Sequence, residues 1–170
     1  AQLANGSCTV RYGDTVILAT AVMSKQPRPG VNFLPLMVNY QEKMYASGKI
    51  KGSRFIKRET RPSDDKELMA RVADRTYRQL FPKEFRRDIQ VMLTTLSYDI
   101  ENEHDMLATS AGSIAQSISD IPFEGPTATV RVGLVEGQLV LNPTHQQRET
   151  SDLDLIVSAG TSNIVMIEAG

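Results

Sequence analysis

The segment of residues 54–62, RFIKRETRP, combines side chains that could bind an extended anion. Four of its nine residues are Lys or Arg, and only one is an acid. Phe55 and Ile56 place two large apolar groups directly before the cations of Lys57 and Arg58. Cations at this density attract phosphate-like groups. One interpretation is therefore a contact with a polyanion, and the alternative is a solvated loop.

The distribution of charge along the chain bears on this choice. The formal net charge is −1, but residues 43–87 hold 14 of the 19 Lys and Arg residues and only 6 of the 20 Asp and Glu residues. Such a basic region, next to an acidic remainder, is typical of a domain that presents one face to a polyanion. A solvated helix face followed by a solvated loop would have the same composition.

Three arginines share one face of the first predicted helix. Arg71, Arg75 and Arg78 are separated by four and three residues. Glu67 and Asp74 lie four residues before Arg71 and Arg78, an arrangement that stabilises a helix by ~0.2–0.5 kcal/mol per pair. We therefore expect ion pairs for Arg71 and Arg78. Arg75 has no such partner and is the candidate for a contact outside the helix.

Common catalytic motifs are absent from the sequence, which contains no P-loop, GxGxxG, HExxH or GxSxG. His104 and His145 lack the spacing of metal ligands. The acidic segment 99–105 lacks the glycine and the ligand alternation of a calcium loop. We expect it to be a solvated strand-to-helix connection, with a metal site as the less favoured alternative. Asp152 and Asp154 would share one side of a strand, but a divalent cation would need a third ligand.

Length and composition indicate one globular domain. The chain has 170 residues, of which 41% are hydrophobic and 23% charged, unlike a disordered or membrane protein. It has no N-terminal signal sequence and no apolar run of the ~18 residues that a spanning helix needs. The single cysteine, Cys8, is expected to be a small buried side chain, and it favours a reducing, cytoplasmic compartment. From its two ends, the sequence is expected to be a segment of a longer protein.

Hydrophobic patterning predicts an α+β fold with mixed sheets packed with helices. The first helix begins after Pro62, is capped by Ser63, and buries Met69, Val72, Ala73, Thr76, Tyr77 and Leu80. The second helix covers residues 106–118 and is rich in Ala, Ser and Gly, which suits close packing against a sheet. Strands are expected over residues 7–11, 15–23, 33–40, 89–98, 127–135, 138–141, 153–158 and 164–167.

Six stretches occur in an order that matches a known family: NGSCTVRYGDTVILATAV, FLPLMVNYQEKMYASGKI, FIKRETRPS, DIPFEGPTATVRVG, LNPT and DLDLIVSAG. Together they resemble the first ribonuclease PH-like core of the bacterial polynucleotide phosphorylases. The resemblance runs through essentially all 170 residues. It implies that residues 1–170 form one such core, with the ribosomal protein S5 domain 2-like fold.

The resemblance also implies an activity and partners. Members of the family degrade RNA from its 3′ end with inorganic phosphate in place of water, release nucleoside diphosphates, and also run the reverse reaction. Their full chain has two cores, a helical segment between them, and KH and S1 domains. Three chains form a ring around a channel. The implied partners are single-stranded RNA, the second core and two further copies, with phosphate as co-substrate and Mg²⁺ in the second core.

In the family, a loop with two large apolar residues followed by two basic ones lines the RNA channel. The matching residues here are Phe55, Ile56, Lys57, Arg58 and Arg61, and Arg75 is a further candidate RNA contact. An aromatic face stacks on any base for roughly 1–3 kcal/mol, and cations follow the phosphates. The sequence departs from the family at Arg54, an additional residue, and at Thr60, where glycine is usual.

Most of the catalytic residues of the family are not found at the matching positions of this sequence. In the active second core of the family, adjacent serines hold phosphate, and an Asp–Asp–Lys set holds metal and stabilises charge. The positions that match these two sets are Glu103, His104 and Asp105, and Arg148, Asp154 and Ile156. We therefore expect this core to guide RNA without catalysing. Two alternatives remain: an RNA-binding or ring-scaffold module without an enzyme, and a one-core ribonuclease PH-type exonuclease.

Overall fold

The structure is a computed structural model that describes residues 2–49 and 62–170. Within these residues, eight strands and three α-helices form two four-stranded sheets with helices packed on them. The α+β class that the patterning predicts is confirmed. None of the described helices is long and apolar enough to span a membrane.

The first sheet has the strand order β1-β2-β4-β3. Its strands are β1 (Gly6–Tyr12), β2 (Thr15–Pro27), β3 (Leu36–Gln41) and β4 (Arg87–Ser97). Strand β3 runs parallel to β4, and the other pairs are antiparallel. The side chains of β2 alternate, so that Ile17, Ala19 and Ala21 are fully buried on the helix-covered face.

The second sheet has the order β6-β5-β7-β8 and is antiparallel throughout. Its strands are β5 (Ala128–Val135), β6 (Gln138–Leu141), β7 (Asp154–Ala159) and β8 (Ile164–Ala169). Glu136 and Gly137 both have positive φ, 51° and 76°, which is the backbone of a tight two-residue hairpin turn. The short helix α3 (His145–Glu149) follows β6 and was not predicted from the sequence.

Helix α1 (Asp64–Arg78) buries five of the six side chains expected to face the core. The sixth, Leu80, lies beyond the end of the helix and is half-buried. The predicted cap is wrong in one respect, because the Ser63 side chain accepts no hydrogen bond from the helix. Its backbone carbonyl accepts instead from the N–H groups of Lys66 and Glu67.

Helix α2 (Asp105–Ser117) lies between the two sheets and also contacts α1. It packs on β1, β2 and β4 on one side and on β5 on the other. Small side chains make this possible, because Ala108, Ala111, Gly112 and Ala115 are buried. On the second-sheet side, Ser113 Oγ accepts the backbone N–H of Thr127 at 2.8 Å. The expected suitability of this helix for close packing is confirmed.

We expect Gly6→Ala to destabilise the protein. A Cβ on Gly6 would lie 2.0 Å from the backbone oxygen of Ala115, which cannot rotate away, and overpacking of this kind costs ~1–3 kcal/mol. Thermal unfolding should show a melting temperature lower by several degrees. Gly160→Ala is the control, because its Cβ would meet the Asn163 side chain at 3.4 Å and the Asn163 backbone oxygen at 3.9 Å, which are ordinary contact distances. Equal melting temperatures for the two variants would contradict the packing described for α2.

Candidate functional site

Most of the predicted RNA contacts cannot be placed, because Phe55, Ile56, Lys57, Arg58 and Arg61 lie outside the described residues. The same holds for the two departures from the family pattern, Arg54 and Thr60. The structure does describe the chain on both sides of this segment, the three arginines of α1, and the positions that match the catalytic sets of the family.

The arginines of α1 have different partners. Arg75 is exposed and forms an ion pair with Glu168 of β8. Its contact thus lies outside the helix, as the spacing indicates, but the partner is a carboxylate of this chain. Arg78 pairs with Asp74 at 2.8 Å as predicted.

Four charged side chains form what we call the charged network: Glu103, Arg131, Arg148 and Asp154. Arg131 Nη1 donates to both carboxylate oxygens of Asp154, at 2.9 and 2.7 Å. Arg148 Nη1 donates to Glu103 Oε1 at 3.0 Å. Arg131 Nε and Glu103 Oε2 are 2.8 Å apart as an ion contact without hydrogen-bond geometry. The side chains of Arg131 and Glu103 are only 8% and 14% exposed.

The charged network contains three of the positions that the sequence comparison with the family singles out: Glu103, Arg148 and Asp154. It is built where the start of α2, strands β5 and β7, and α3 meet. The fourth member, Arg131, was missed. The sequence did contain a pattern that indicates its burial. Arg131 occupies an inward position of β5, between Thr129 and Gly133 in the strand alternation. A buried arginine requires carboxylate partners.

Arg148 and Asp154 also line a cleft of about 370 Å³ between α3 and the start of β7. The carboxylate of Asp154 is 44% exposed, whereas Arg148 is directed partly towards Glu103. Both side chains are therefore already paired where they reach the cleft. Asp152 precedes β7, which begins at Asp154, so the two aspartates do not line up along one strand.

Only the first half of the acidic segment 99–105 is the solvated connection that we expected, because Ile100 and Glu101 are exposed. His104 and Asp105 are buried. Glu103 belongs to the charged network. Burial alone would raise the pKa of Asp99, but the hydrogen bonds that it accepts from Asn102, Asp14 and Glu101 lower that pKa overall. The second half differs from the expectation because Glu103 and Asp105 have partners far away in the sequence.

Another group of charges lies at the other side of the start of α2. This junction cluster consists of Glu42, Lys66, His104 and Asp105. Lys66 Nζ lies 2.7 Å from Asp105 Oδ1 and 3.7 Å from Glu42 Oε1. His104 Nε2 lies 3.2 Å from the same Glu42 oxygen. The hydrogen bond with His104, helped by Lys66, lowers the pKa of the Glu42 carboxyl below its ordinary value of 4.5.

Tyr98 connects the junction cluster to the neighbourhood of the charged network. Its ring meets His104 edge-on at 4.7 Å, and its hydroxyl lies 3.0 Å from His145 Nε2. The two histidines, which are distant in the sequence, thus contact the same tyrosine. Residues 2–49 and 62–170 contain no group of three or more His, Cys, Asp or Glu side chains that could hold a metal ion.

Comparisons with known proteins give a consistent result. Residues 1–122 match the family model described as 3′ exoribonuclease family, domain 1, and residues 125–170 match domain 2 of the same family. The chain is 55% identical over 170 residues to polyribonucleotide nucleotidyltransferases of Alkaliphilus oremlandii (strain OhILAs) and Staphylococcus saprophyticus subsp. saprophyticus. The corresponding protein of Caldicellulosiruptor saccharolyticus is 54% identical.

Each of these matches covers 100% of this chain but 24% of the relative. The chain therefore spans about a quarter of the length of these relatives. Among solved structures, rice (Oryza sativa) Rrp46 superposes with a TM-score of 0.74 at 17% identity, over 99% of this chain and 75% of that one. At this identity the likeness concerns the fold, and the expected ribonuclease PH-like fold is confirmed.

We expect Arg131→Met to lower the free energy of unfolding by about 3 kcal/mol. The substitution leaves Glu103 buried with only Arg148 opposite, and breaking a buried ion pair costs roughly 3–5 kcal/mol, less here because Asp154 is partly exposed. Chemical denaturation measures the effect. Arg11→Met is the control, because its pair with Asp14 is 68% and 82% exposed and should contribute at most ~1 kcal/mol. Similar losses in both variants would mean that the charged network is not a buried unit.

Proposed function

The chain belongs to the 3′ exoribonuclease family, and we propose that it is the first ribonuclease PH-like core of a polyribonucleotide nucleotidyltransferase. The whole protein would shorten RNA from its 3′ end by phosphorolysis and release nucleoside diphosphates. Identity of 52–55% over the whole chain to enzymes of that name supports this proposal. The proposed partners are single-stranded RNA, a second core of the same chain, and two further copies in a ring, all in the cytoplasm.

We further propose that this core guides RNA and leaves phosphorolysis to the second core. The observation that carries this is the charged network. Glu103 stands where the resemblance places a phosphate-binding serine, and its carboxylate would repel phosphate. The guanidinium groups of Arg131 and Arg148, which could attract phosphate, are already paired with Glu103 and Asp154.

The residues of this core do not fit Mg²⁺ either. Asp154 is the one carboxylate left of the Asp–Asp–Lys set, and it accepts two hydrogen bonds from Arg131. A divalent cation would have to displace that guanidinium and would still lack further anionic ligands. We therefore assign both Mg²⁺ and the phosphate co-substrate to the second core.

The RNA contact of this core is proposed to be the segment with Phe55, Ile56, Lys57, Arg58 and Arg61. Its composition supports a contact that tolerates any sequence, since aromatic stacking and phosphate attraction do not read base edges. Arg75 is proposed as an additional phosphate contact. To bind a phosphate, Arg75 must share or release Glu168. Its contribution to RNA affinity should therefore be smaller than that of the cations at 57, 58 and 61.

We expect variants of this segment in the full-length protein to separate two kinds of contact. Lys57→Ala, Arg58→Ala and Arg61→Ala should each weaken binding of a long oligoadenylate and lower its salt slope by ~0.7 per lost phosphate contact. Phe55→Ala should weaken binding by roughly 1–3 kcal/mol with an unchanged slope, because stacking releases no counterions. Binding measured at several salt concentrations gives both quantities.

Thermal unfolding and short substrates are the controls for these variants. All four should slow phosphorolysis of long RNA more than that of very short oligomers, which do not reach this core. If the three charge variants bind like the parent while Phe55→Ala only lowers the melting temperature, the segment is a solvated loop beside a core phenylalanine.

We also expect the chain of residues 1–170 alone to lack phosphorolytic activity, because the phosphate-binding serines and two of the three Asp–Asp–Lys positions are not retained. The purified chain is incubated with labelled oligoadenylate, phosphate and Mg²⁺, and release of ADP is followed. The full-length protein is the positive control. Phosphate-dependent ADP release that copurifies with the chain would favour a one-core exonuclease instead.

A further inference from the structure

A groove at one end of the first sheet, which we call the sheet-end groove, combines exposed apolar side chains with nearby cations. The register of β2, β4 and β3 places Val22, Gln90 and Met37 in one row across the sheet. Their chain neighbours Ala21 and Ile89 are buried on the side of the helices, so the row lies on the opposite face. Val22 and Met37 are 39% and 58% exposed. Within the described residues, this part of the face is therefore open.

Phe33 also lines the sheet-end groove, which has a volume of about 410 Å³, within the ~300–1,000 Å³ that is usual for ligand clefts. Phe33 is 55% exposed, but the backbone that follows it is fixed. Leu34 is buried, and its carbonyl oxygen accepts a hydrogen bond from Arg78 Nη1 at 2.8 Å. The Pro35 carbonyl accepts the N–H of Ile89 at 3.0 Å. An exposed ring on a fixed backbone loses little conformational entropy when it binds a flat partner.

The turns beside the sheet-end groove are strongly basic. Residues 25–28 and 83–88 lie next to each other, because the Arg28 N–H donates to the Arg86 carbonyl at 2.8 Å. Together the two segments contain five Lys or Arg residues and two acids, a net charge of +3. The cations are Lys25, Arg28, Lys83, Arg86 and Arg87. A patch of this sign attracts anions to the mouth of the groove.

These cations keep their charge available to a ligand. Arg28 Nη1 lies 3.4 Å from Asp88 Oδ1, but the two side chains are 55% and 47% exposed. Water screens such a pair strongly, so Arg28 can turn to another anion at little cost. Arg86 Nη1 donates to two carbonyl oxygens of its own turn, which leaves its charge unneutralised. Lys25 and Lys83 are exposed.

The combination of these features favours a single strand of nucleic acid as the occupant. A base stacks on an aromatic face, and cations attract the phosphates on either side of it. The side-chain amide of Gln90 adds a donor and an acceptor to the groove. A purely apolar protein segment could cover Phe33 and Met37 but has no use for the cations. A second copy in a twofold contact would bring the same positive patch, which would repel its counterpart.

We propose that the sheet-end groove is a second contact for single-stranded RNA, separate from the segment with Phe55. Phe33 stacks on one base, and Lys25, Arg28 and Lys83 attract the adjoining phosphates. The contact accepts any sequence, since neither interaction reads base edges. This inference deepens the proposed function and rests on it, because that function supplies RNA as the ligand.

The test uses the full-length protein with Phe33→Ala, Phe33→Tyr and a double variant of Lys25→Ala with Lys83→Ala. Tyr12→Ala and Arg11→Ala are the matched controls, because both side chains are exposed and lie at the opposite end of the same sheet. Binding of a long oligoadenylate is measured at several salt concentrations, well below the melting temperature of every variant. Phosphorolysis of very short oligomers is measured beside it.

For Phe33→Ala we expect a Kd about tenfold higher with an unchanged salt slope, because stacking releases no counterions. Phe33→Tyr keeps an aromatic face and should bind within about twofold of the parent. The double variant of Lys25 and Lys83 should lower the salt slope by ~1.4, which is ~0.7 for each lost phosphate contact. Both control variants should bind like the parent, and all variants should degrade very short oligomers at the parental rate.

Oxidation of Met37 reports on the groove directly. Peroxide converts an exposed methionine to its sulfoxide, and mass spectrometry of the peptide with Met37 measures the rate. Bound oligoadenylate should slow this oxidation at least threefold in the parent and less in Phe33→Ala. Slow oxidation in the absence of RNA would mean that a protein surface already covers the groove, which would overturn the proposal.

Failure of this inference can be distinguished from failure of the proposed function. If Phe33→Ala and the double lysine variant bind like the parent, while a combined variant of Lys57, Arg58 and Arg61 binds poorly, only the sheet-end groove is excluded. If the combined variant also binds like the parent, the proposed function itself fails. A Phe33→Tyr variant that binds as poorly as Phe33→Ala would contradict stacking at this position.

Discussion

The close approach of α2 to the first sheet and to α1 is the constraint on which the rest of the structure depends. A methyl group on Gly6 would meet the Ala115 carbonyl at 2.0 Å, and one on Gly112 would meet the Tyr77 hydroxyl at 2.3 Å. There is accordingly no space for the helix to shift between its neighbours. Since α2 is fixed along its length, the residues at its start are fixed as well, and both groups of buried charges begin there.

At the start of α2, neighbouring residues form ion pairs with partners on opposite sides of the helix. Glu103 points to Arg131 and Arg148 on the side of the second sheet, whereas Asp105 points to Lys66 at the start of α1. Ion pairs of this kind contribute little net stability because desolvation offsets much of the attraction. Their effect is to define geometry. One group joins the start of α2 to β5, β7 and α3, and the other joins it to the end of β3 and the start of α1.

Under the proposed function, this arrangement divides the work between two cores of similar fold. A core whose phosphate and metal positions are filled by its own side chains cannot compete with the active core for phosphate. Under the same proposal it would still guide a strand of RNA, because guidance needs only cations and an aromatic face.

The sequence by itself determined the features that depend on near neighbours and on ordered motifs. Alternation and helical spacing predicted the strands, α1, α2 and the Asp74–Arg78 pair, and the ordered motifs predicted the family. The tertiary structure alone decided which charges are buried. Asp105 pairs with Lys66 across 39 residues, and Arg148 with Glu103 across 45. Helix α3, with five residues, is too short for a periodic signal. A local pattern treats a charge without a nearby partner as solvated, because only the folded chain brings its distant partner within reach.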